Sequence, residues 1–245
     1  MNKIEILKSE KDGLKVKADI HRMAKEGWES ISEDDIQRLK WYGLFLRNPT
    51  PGFFMLRVRI PNGFSFSHQI RALCFIAETF GNGIIDITTR QQIQLRQLKI
   101  ENVPEVFDLL EEAGLTSTQT GLDNVRNIIG CPVAGLNPKE RVNPYAQVKA
   151  LTEHILNNSE FSNLPRKFNV AISGCANDCV HAETQDLALV PAVQEKGGNR
   201  VYGFNVLVGG KLGSGGYRIA TSLDVFISPE EVVEVCSAII LLYRD

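Results

Sequence analysis

The sequence lacks an imbalance of charge and any long apolar run, and each absence excludes a class of protein. The 27 Lys and Arg against 29 Asp and Glu leave a net charge of −2, which creates no broad field for nucleic acid or an anionic membrane. No apolar run approaches the ~20 residues that cross a bilayer, and the start MNKIEILKSEKDG contains no apolar signal region. We therefore expect a cytoplasmic protein with no nucleic-acid or membrane partner.

Cysteine is also scarce. The five cysteines, at positions 74, 131, 175, 179 and 236, are an odd number in a chain of 245 residues, which argues against a secreted disulfide framework and leaves metal binding or plain burial. Cys74 and Cys236 fall on the apolar sides of predicted helices, so we expect them in the core.

The patterning predicts an α+β protein with three segments. Residues 1–46 are charged and helical in pattern, and Ser32 followed by Asp35 is typical of a helix start. Residues 47–115 are predicted to alternate strand, helix, strand and helix, and the two helices end at Gly81 and Gly114. This order predicts a ferredoxin-like half-domain.

The third segment, residues 116–245, begins with a Gly-, Asn- and Pro-rich stretch that is typical of a functional loop. A helix over NPYAQVKALTEHILNN follows, then strand FNVAIS with DLALVPA as its partner, a hairpin turn at KGGNR and a carboxyl-terminal helix. GKLGSGG lacks the spacing of a phosphate-binding loop.

Polar side chains line two predicted strands, residues 53–60 and 84–96. Because side chains alternate along a strand, Arg57 and Arg59 share one face of the first strand. The polar face of the second consists of Thr88, Arg90, Gln92, Gln94 and Arg96, opposite Ile87, Ile93 and Leu95. Arginine suits carboxylate or phosphate, so the rows indicate a ligand with several carboxylates, although a solvated sheet face has the same alternation.

Long motifs give the chain a resemblance to a known family. FMLRVRIPNG, TTRQQIQLR, GLDNVRNIIGCPVAGLNP, LPRKFNVAISG and GFNVLVGG resemble, in order, motifs in the first half of the siroheme-dependent nitrite and sulfite reductases, especially the ferredoxin-dependent nitrite reductases. The resemblance implies a ferredoxin-like piece followed by a siroheme-facing α/β domain with a mixed sheet. It also implies six-electron reduction of nitrite to ammonia, with ferredoxin as donor.

The resemblance assigns roles to individual residues. Arg57, Arg126 and Lys167 match the cations that face the substrate anion, with Asn169 beside them, whereas Arg90, Gln94 and Arg96 match positions that hold cofactor carboxylates. Siroheme carries eight carboxylates, so its burial requires clustered cations. We therefore expect Arg57 and Lys167 in one cleft, and Lys167 as the proton donor. DNVRN would equally suit a structural turn.

The expected 4Fe–4S cluster is ligated in this family by cysteines of the second half. This chain has a Cys-x3-Cys pair, Cys175 and Cys179, and a single further cysteine nearby, Cys131. Ligation by the pair, a zinc site with Cys131 and His181, and plain loop structure are the alternatives. We expect the ligands in a missing carboxyl-terminal half, and so assign no metal ligand here.

The sequence leaves three functions open. The first is half of a nitrite reductase, inactive when isolated, and the second is the same part of an assimilatory sulfite reductase. The third is a non-catalytic tetrapyrrole- or anion-binding module.

Overall fold

In the computed structural model, which describes residues 3–213 and 215–245, the chain forms two compact units. The first unit comprises the residues up to Ile60 together with Ser65–Asn124, and the second comprises Pro61–Phe64 together with Val125–Asp245. The first unit thus contains residues 1–46 and extends to Asn124. The predicted three-segment division stays a prediction.

The first unit is an α+β structure with an antiparallel sheet. Its elements are α1 (Lys3–Glu10), α2 (Ile20–Glu26), α3 (Glu33–Arg38), β1 (Leu44–Arg47), β2 (Thr50–Val58), α4 (Ser67–Phe80), β3 (Ile85–Ile87), β4 (Ile93–Leu98) and α5 (Val103–Glu112). The strand order is β1-β2-β4-β3. Leu44, Leu56 and Leu95 are in register across three strands and fully buried, so one sheet face belongs to the core.

The predicted strand over residues 84–96 is wrong, because the chain reverses within it. The Gln91 amide donates to the Thr88 carbonyl at 2.9 Å, the Gln92 amide donates to Thr88 Oγ1 at 3.1 Å, and Gln91 has φ +53°. This turn makes β3 and β4 a hairpin. It contains no Gly or Pro, and its alternating side chains imitate a continuous strand.

The amino-terminal helices are part of the first unit's core. Leu7, Ile20, Met23 and Trp41 pack in the same cluster as the sheet. The predicted start of α3 is confirmed, since Ser32 Oγ accepts a hydrogen bond from the Asp35 amide at 3.1 Å. Cys74 on α4 is only half-buried, so its predicted core position is wrong; α4 directs Leu73, Ile76 and Ala77 inward instead.

The second unit is built on a mixed sheet. Its elements are β5 (Ile129–Gly130), α6 (Tyr145–Ile155), β6 (Val170–Ile172), β7 (Leu187–Lys196), β8 (Asn199–Val208), β9 (Lys211–Gly213), β10 (Gly216–Arg218), β11 (Thr221–Ile227) and α7 (Val232–Arg244). The order is β11-β8-β7-β6-β5, in which β5, β6 and β7 are parallel. The β6–β7 pairing and the turn through Gly197 and Gly198, with φ of +59° and +79°, agree with the predictions.

Candidate functional site

A row of polar side chains crosses three strands of the first unit. Arg57 on β2 is the register partner of Gln94 on β4, and Gln94 is the partner of Asp86 on β3. Side chains directly opposite each other in neighbouring strands lie on the same face. The row therefore lies on the face opposite that of Leu56 and Leu95.

Arg57 is the central cation of this row. Its guanidinium is half-buried, donates from Nη1 to the Thr120 carbonyl at 3.2 Å, and lies 4.7 Å from the centre of the Phe45 ring. Burial, and secondarily the positive charge of Arg96, lowers the pKa of Arg57. Within residues 3–213 and 215–245, no carboxylate lies within ion-pair distance of Arg57. Most of its donors are thus available to an anionic ligand.

Gln94 and Arg96 share β4 with different surroundings. Gln94 is half-buried, and its side chain makes no hydrogen bond to the described part of the chain. Arg96 Nε donates to Asp86 Oδ2 at 2.5 Å, so a local carboxylate already neutralises this arginine. A ligand carboxylate that binds Arg96 has to compete with Asp86.

The reversal of the chain at residues 88–92 changes the predicted polar row. Arg90 lies in the turn and is half-buried, and Gln92 is buried with its Nε2 atom unbonded among the described residues. Arg57 and Gln94 lie on neighbouring strands, whereas Arg90, which we expected on the strand beside Arg57, lies in the turn. Ile87, predicted to pack, is 81% exposed.

Arg59 does not share the surface of Arg57. The strand β2 ends at Val58, and Arg59 is only 1% exposed, with its guanidinium donating to the Thr118 and Gln119 carbonyls. Burial lowers the pKa of Arg59 to about 9. Both guanidiniums donate to carbonyls of the segment Thr118–Thr120, so the alternation still holds at Arg59. The segment buries Arg59 and leaves Arg57 half-buried, which alternation along one strand does not predict.

In the second unit a backbone bridge brings the other predicted substrate residues together. Val125 pairs in parallel with Phe168, and the Arg126 amide donates to the Phe168 carbonyl at 2.8 Å. Lys167 and Asn169 flank Phe168 in the chain; Lys167 is exposed and Asn169 half-buried. Arg126, Lys167 and Asn169 thus lie beside one bridge. The common cleft predicted for Arg57 and Lys167 stays a prediction.

The Asn169 backbone is held at the start of β6. Its amide donates to Asp186 Oδ2 at 2.8 Å, and its carbonyl accepts from the Leu187 amide at 3.1 Å. These bonds fix the chain immediately after Lys167. The sequence pattern gave no indication of this role for Asp186.

Two of the cysteines form a contact near the ends of neighbouring strands. Cys131 follows β5 and Cys175 lies beyond β6, both are buried, and their thiols are close enough to interact. Burial raises the pKa of the Cys131 thiol. Cys179 is exposed, and the described residues contain no group of three or more His, Cys, Asp or Glu able to hold a metal ion. A set of four thiolates for an iron–sulfur cluster is not present in this part of the chain.

The loop after Cys175 contains an acid pair that the sequence pattern did not single out. Burial, followed by a hydrogen bond with Glu183, raises the pKa of Asp178 to about 6. Both Asp178 carboxylate oxygens accept from the Ala182 amide. The proximity of the two carboxyl groups raises the pKa of Asp178 and lowers that of Glu183, so their titrations are linked.

No helix in the described residues has the length and apolar character that crossing a membrane requires.

An α+β half-domain with an arginine-bearing sheet face, next in sequence to a mixed-sheet unit, defines the class of protein. Residues 47–113 match the nitrite/sulfite reductase ferredoxin-like half domain, and residues 121–245 match the nitrite and sulphite reductase 4Fe-4S domain. The chain belongs to the nitrite and sulfite reductase family.

Individual relatives agree with this assignment. The chain is 48% identical to the ferredoxin–nitrite reductase of Leptolyngbya laminosa and 45% identical to that of Synechococcus elongatus, with 100% of this chain and 48% of each relative covered. Among solved structures, the NirA protein of Mycobacterium tuberculosis superposes with a TM-score of 0.89 at 28% identity, over 98% of this chain and 46% of NirA. The chain spans about half the length of these relatives.

Proposed function

We propose that the chain supplies an anion-binding face of a siroheme-containing, ferredoxin-dependent nitrite reductase. The observation that carries the proposal is Arg57, a half-buried guanidinium whose described side-chain partners are a carbonyl and an aromatic ring. Burying a cation without a carboxylate is costly. An anionic ligand on this face offsets that cost.

The residues of the first unit fit the carboxylate rim of siroheme. Arg57 and Gln94 offer available donors in one row, and Arg96 adds a second cation on the same strand as Gln94. A planar guanidinium binds a carboxylate through two parallel hydrogen bonds, and an amide adds a neutral donor. We assign Gln94 and Arg96, together with Arg90 from the turn, to the carboxylates of the cofactor.

The resemblance assigns Arg57, Arg126, Lys167 and Asn169 to the substrate anion. Arg57 therefore has two roles, since its row with Gln94 also offers donors to a rim carboxylate. When bound, siroheme supplies the redox chemistry by which nitrite gains six electrons and becomes ammonia. The arginines orient the anion and balance its charge, since arginine stays protonated at any ordinary pH. Lys167, which is exposed, transfers a proton to an oxygen of the anion and is recharged from solvent.

The iron–sulfur cluster is treated separately, because the described residues do not fit it. Among the described cysteines, Cys131 and Cys175 approach each other. Cys179 is exposed to solvent, so it does not belong to a closed cluster site. Ferredoxin as donor is supported by the names of the relatives, and the cytoplasmic location stays a prediction.

The names of the relatives also support nitrite over sulfite as the substrate. Two relatives that match the whole chain, at 48% and 45% identity, are named as ferredoxin–nitrite reductases. The side chains of the described residues do not distinguish nitrite from sulfite, because a guanidinium donates hydrogen bonds to either oxyanion.

A titration of siroheme into the purified chain, followed by absorbance, tests the proposal. Arg57→Met removes the central cation, and a charge-assisted hydrogen bond contributes ~1.5–3 kcal/mol, so we expect siroheme affinity to fall roughly tenfold to a hundredfold. Arg71→Met is the matched control, since Arg71 is an exposed arginine of α4 in the same unit. A parent chain that binds no siroheme, or equal affinities for the two variants, would overturn the proposal.

A further inference from the structure

A polar segment, TSTQT at Thr116–Thr120, lies against Arg57 of β2 and against Arg59, which follows the end of that strand. Thr118 is 7% exposed, Gln119 1% and Thr120 0%. Buried backbone and side-chain polar groups require hydrogen-bond partners, and here arginine side chains provide several of them. Such a segment has few alternative positions once those bonds form.

Arg59 makes the central bonds of this segment. Its Nε donates to the Thr118 carbonyl at 3.4 Å and its Nη2 to the Gln119 carbonyl at 2.9 Å, while its own amide donates to the Thr116 carbonyl at 2.8 Å. One rigid guanidinium therefore spans two consecutive carbonyls. A fully buried arginine is rare, and its burial costs free energy unless its donors are hydrogen-bonded. The carbonyls that accept from Arg59 are therefore held close to its guanidinium.

The next residue of the segment holds Arg57. The Thr120 carbonyl accepts from Arg57 Nη1 at 3.2 Å, and Thr120 Oγ1 lies 3.2 Å from the Arg57 carbonyl and 2.8 Å from the Ser117 carbonyl. Thr120 thus contacts both the backbone and the guanidinium of Arg57. Because Gln119 and Thr120 share a peptide bond, Arg59 and Arg57 are linked through one short backbone path.

We propose that Arg59 is a positioning residue, which fixes the Thr118–Thr120 backbone so that the Thr120 carbonyl holds the Arg57 guanidinium in its anion-binding orientation. This rests on the proposed function of Arg57. Arg59 itself does not contact the ligand, since its side chain is buried. Its removal leaves the Thr118 and Gln119 carbonyls without these donors and lets Thr120 shift.

A double-mutant cycle on siroheme binding separates positioning from general structural support. The set is the parent chain, Arg59→Met, Arg57→Met and the double variant, each titrated with siroheme and unfolded with urea. We expect Arg59→Met to weaken binding about tenfold when Arg57 is present, the effect of one charged hydrogen bond. When Arg57 has been replaced, the same change should alter affinity less than about twofold, while the loss of urea stability persists in both backgrounds.

An equal loss of affinity in the two backgrounds would overturn the proposal. If Arg59→Met does not fold, Arg59→Lys takes its place, because lysine keeps the charge but has no planar fork to span both carbonyls.

A second readout does not depend on siroheme. In the ligand-free parent chain the Arg57 Nε–H signal in ¹⁵N NMR should be resolved and rigid, and it should broaden or become mobile in the Arg59 variants but not in Arg71→Met. If Arg57→Met leaves siroheme affinity unchanged, the proposed function fails, and this NMR comparison still decides the positioning role. An unchanged Arg57 signal in the Arg59 variants would refute that role.

Discussion

Asp86→Asn should strengthen the binding of siroheme, although it removes an ion pair. Asp86 lies on the same row as Arg57 and Gln94, and its Oδ2 accepts from Arg96 Nε at 2.5 Å. The side chains of Arg96 and Asp86 are 30% and 42% exposed, and ion pairs of such exposure contribute ~0–1 kcal/mol to stability. The loss of folding stability should therefore be small.

The effect on an approaching carboxylate is larger. Two like charges about 6 Å apart repel by ~0.7 kcal/mol in bulk water and by ~3 kcal/mol at an effective dielectric constant of about 20. Replacing Asp86 by Asn removes this repulsion and leaves Arg96 available, so siroheme affinity should rise roughly threefold to a hundredfold.

The assay is an absorbance titration of the chain with siroheme at low and high salt, with urea unfolding alongside. The gain should shrink at high salt because exposed charges are screened. Asp108→Asn, at an exposed aspartate of α5 in the same unit, is the control for net charge. If Asp86→Asn binds siroheme no better than Asp108→Asn, Asp86 does not compete with the cofactor, and the carboxylate role of Arg96 is refuted.

Three further predictions concern stability and reactivity. Gly43→Ala should lower the free energy of unfolding in urea by ~2 kcal/mol or more, since Gly43 has φ +73° and a Cβ there would lie 2.5 Å from Thr120 Oγ1 and 2.6 Å from the Arg57 carbonyl. The control Gly83→Ala has the same φ but open space around the Cβ, so it should cost only ~1 kcal/mol. Equal costs would contradict the packing argument. The pKa of Asp178 is raised to about 6 from its ordinary value of 3.8. Its contribution to folding stability is therefore complete below about pH 4 and is lost as the pH rises through about 6. The free energy of unfolding of Asp178→Asn, measured in urea, should depend less on pH between these limits, and an unchanged profile would refute the shift. Alkylation of the native chain followed by mass spectrometry should label exposed Cys179 well before Cys131, Cys175 and Cys236, which are buried; early labelling of Cys131 would contradict its burial.

Local patterns predicted the regular elements well, because their signals are short-range. The start of α3 at Ser32, the end of α4 at Gly81 and the turn at Gly197 each depend on one capping or turn residue. The same patterns failed where the signal was absent or long-range. The turn around Gln91 has no glycine or proline, so its alternating side chains predicted a continuous strand.

The candidate site was predicted only in part for the same reason. The pairing of Arg57 with Gln94 follows from alternation once the two strands are neighbours. The burial of Arg59 depends on a segment near Thr118, far along the chain, and no local rule anticipates it. The bridge between Val125 and Phe168 likewise joins distant motifs, although each motif had been singled out separately.

The most direct measurement of the central claim is siroheme content together with nitrite turnover in an enzyme that carries this chain, with Lys167→Met and Arg90→Met compared. Lys167→Met removes the charge and the proton donor that we assign to the substrate anion, so the variant should retain siroheme and lose turnover. Arg90→Met removes a cation assigned to the cofactor carboxylates, so it should lose siroheme. Normal turnover by Lys167→Met together with full siroheme content in Arg90→Met would contradict the account.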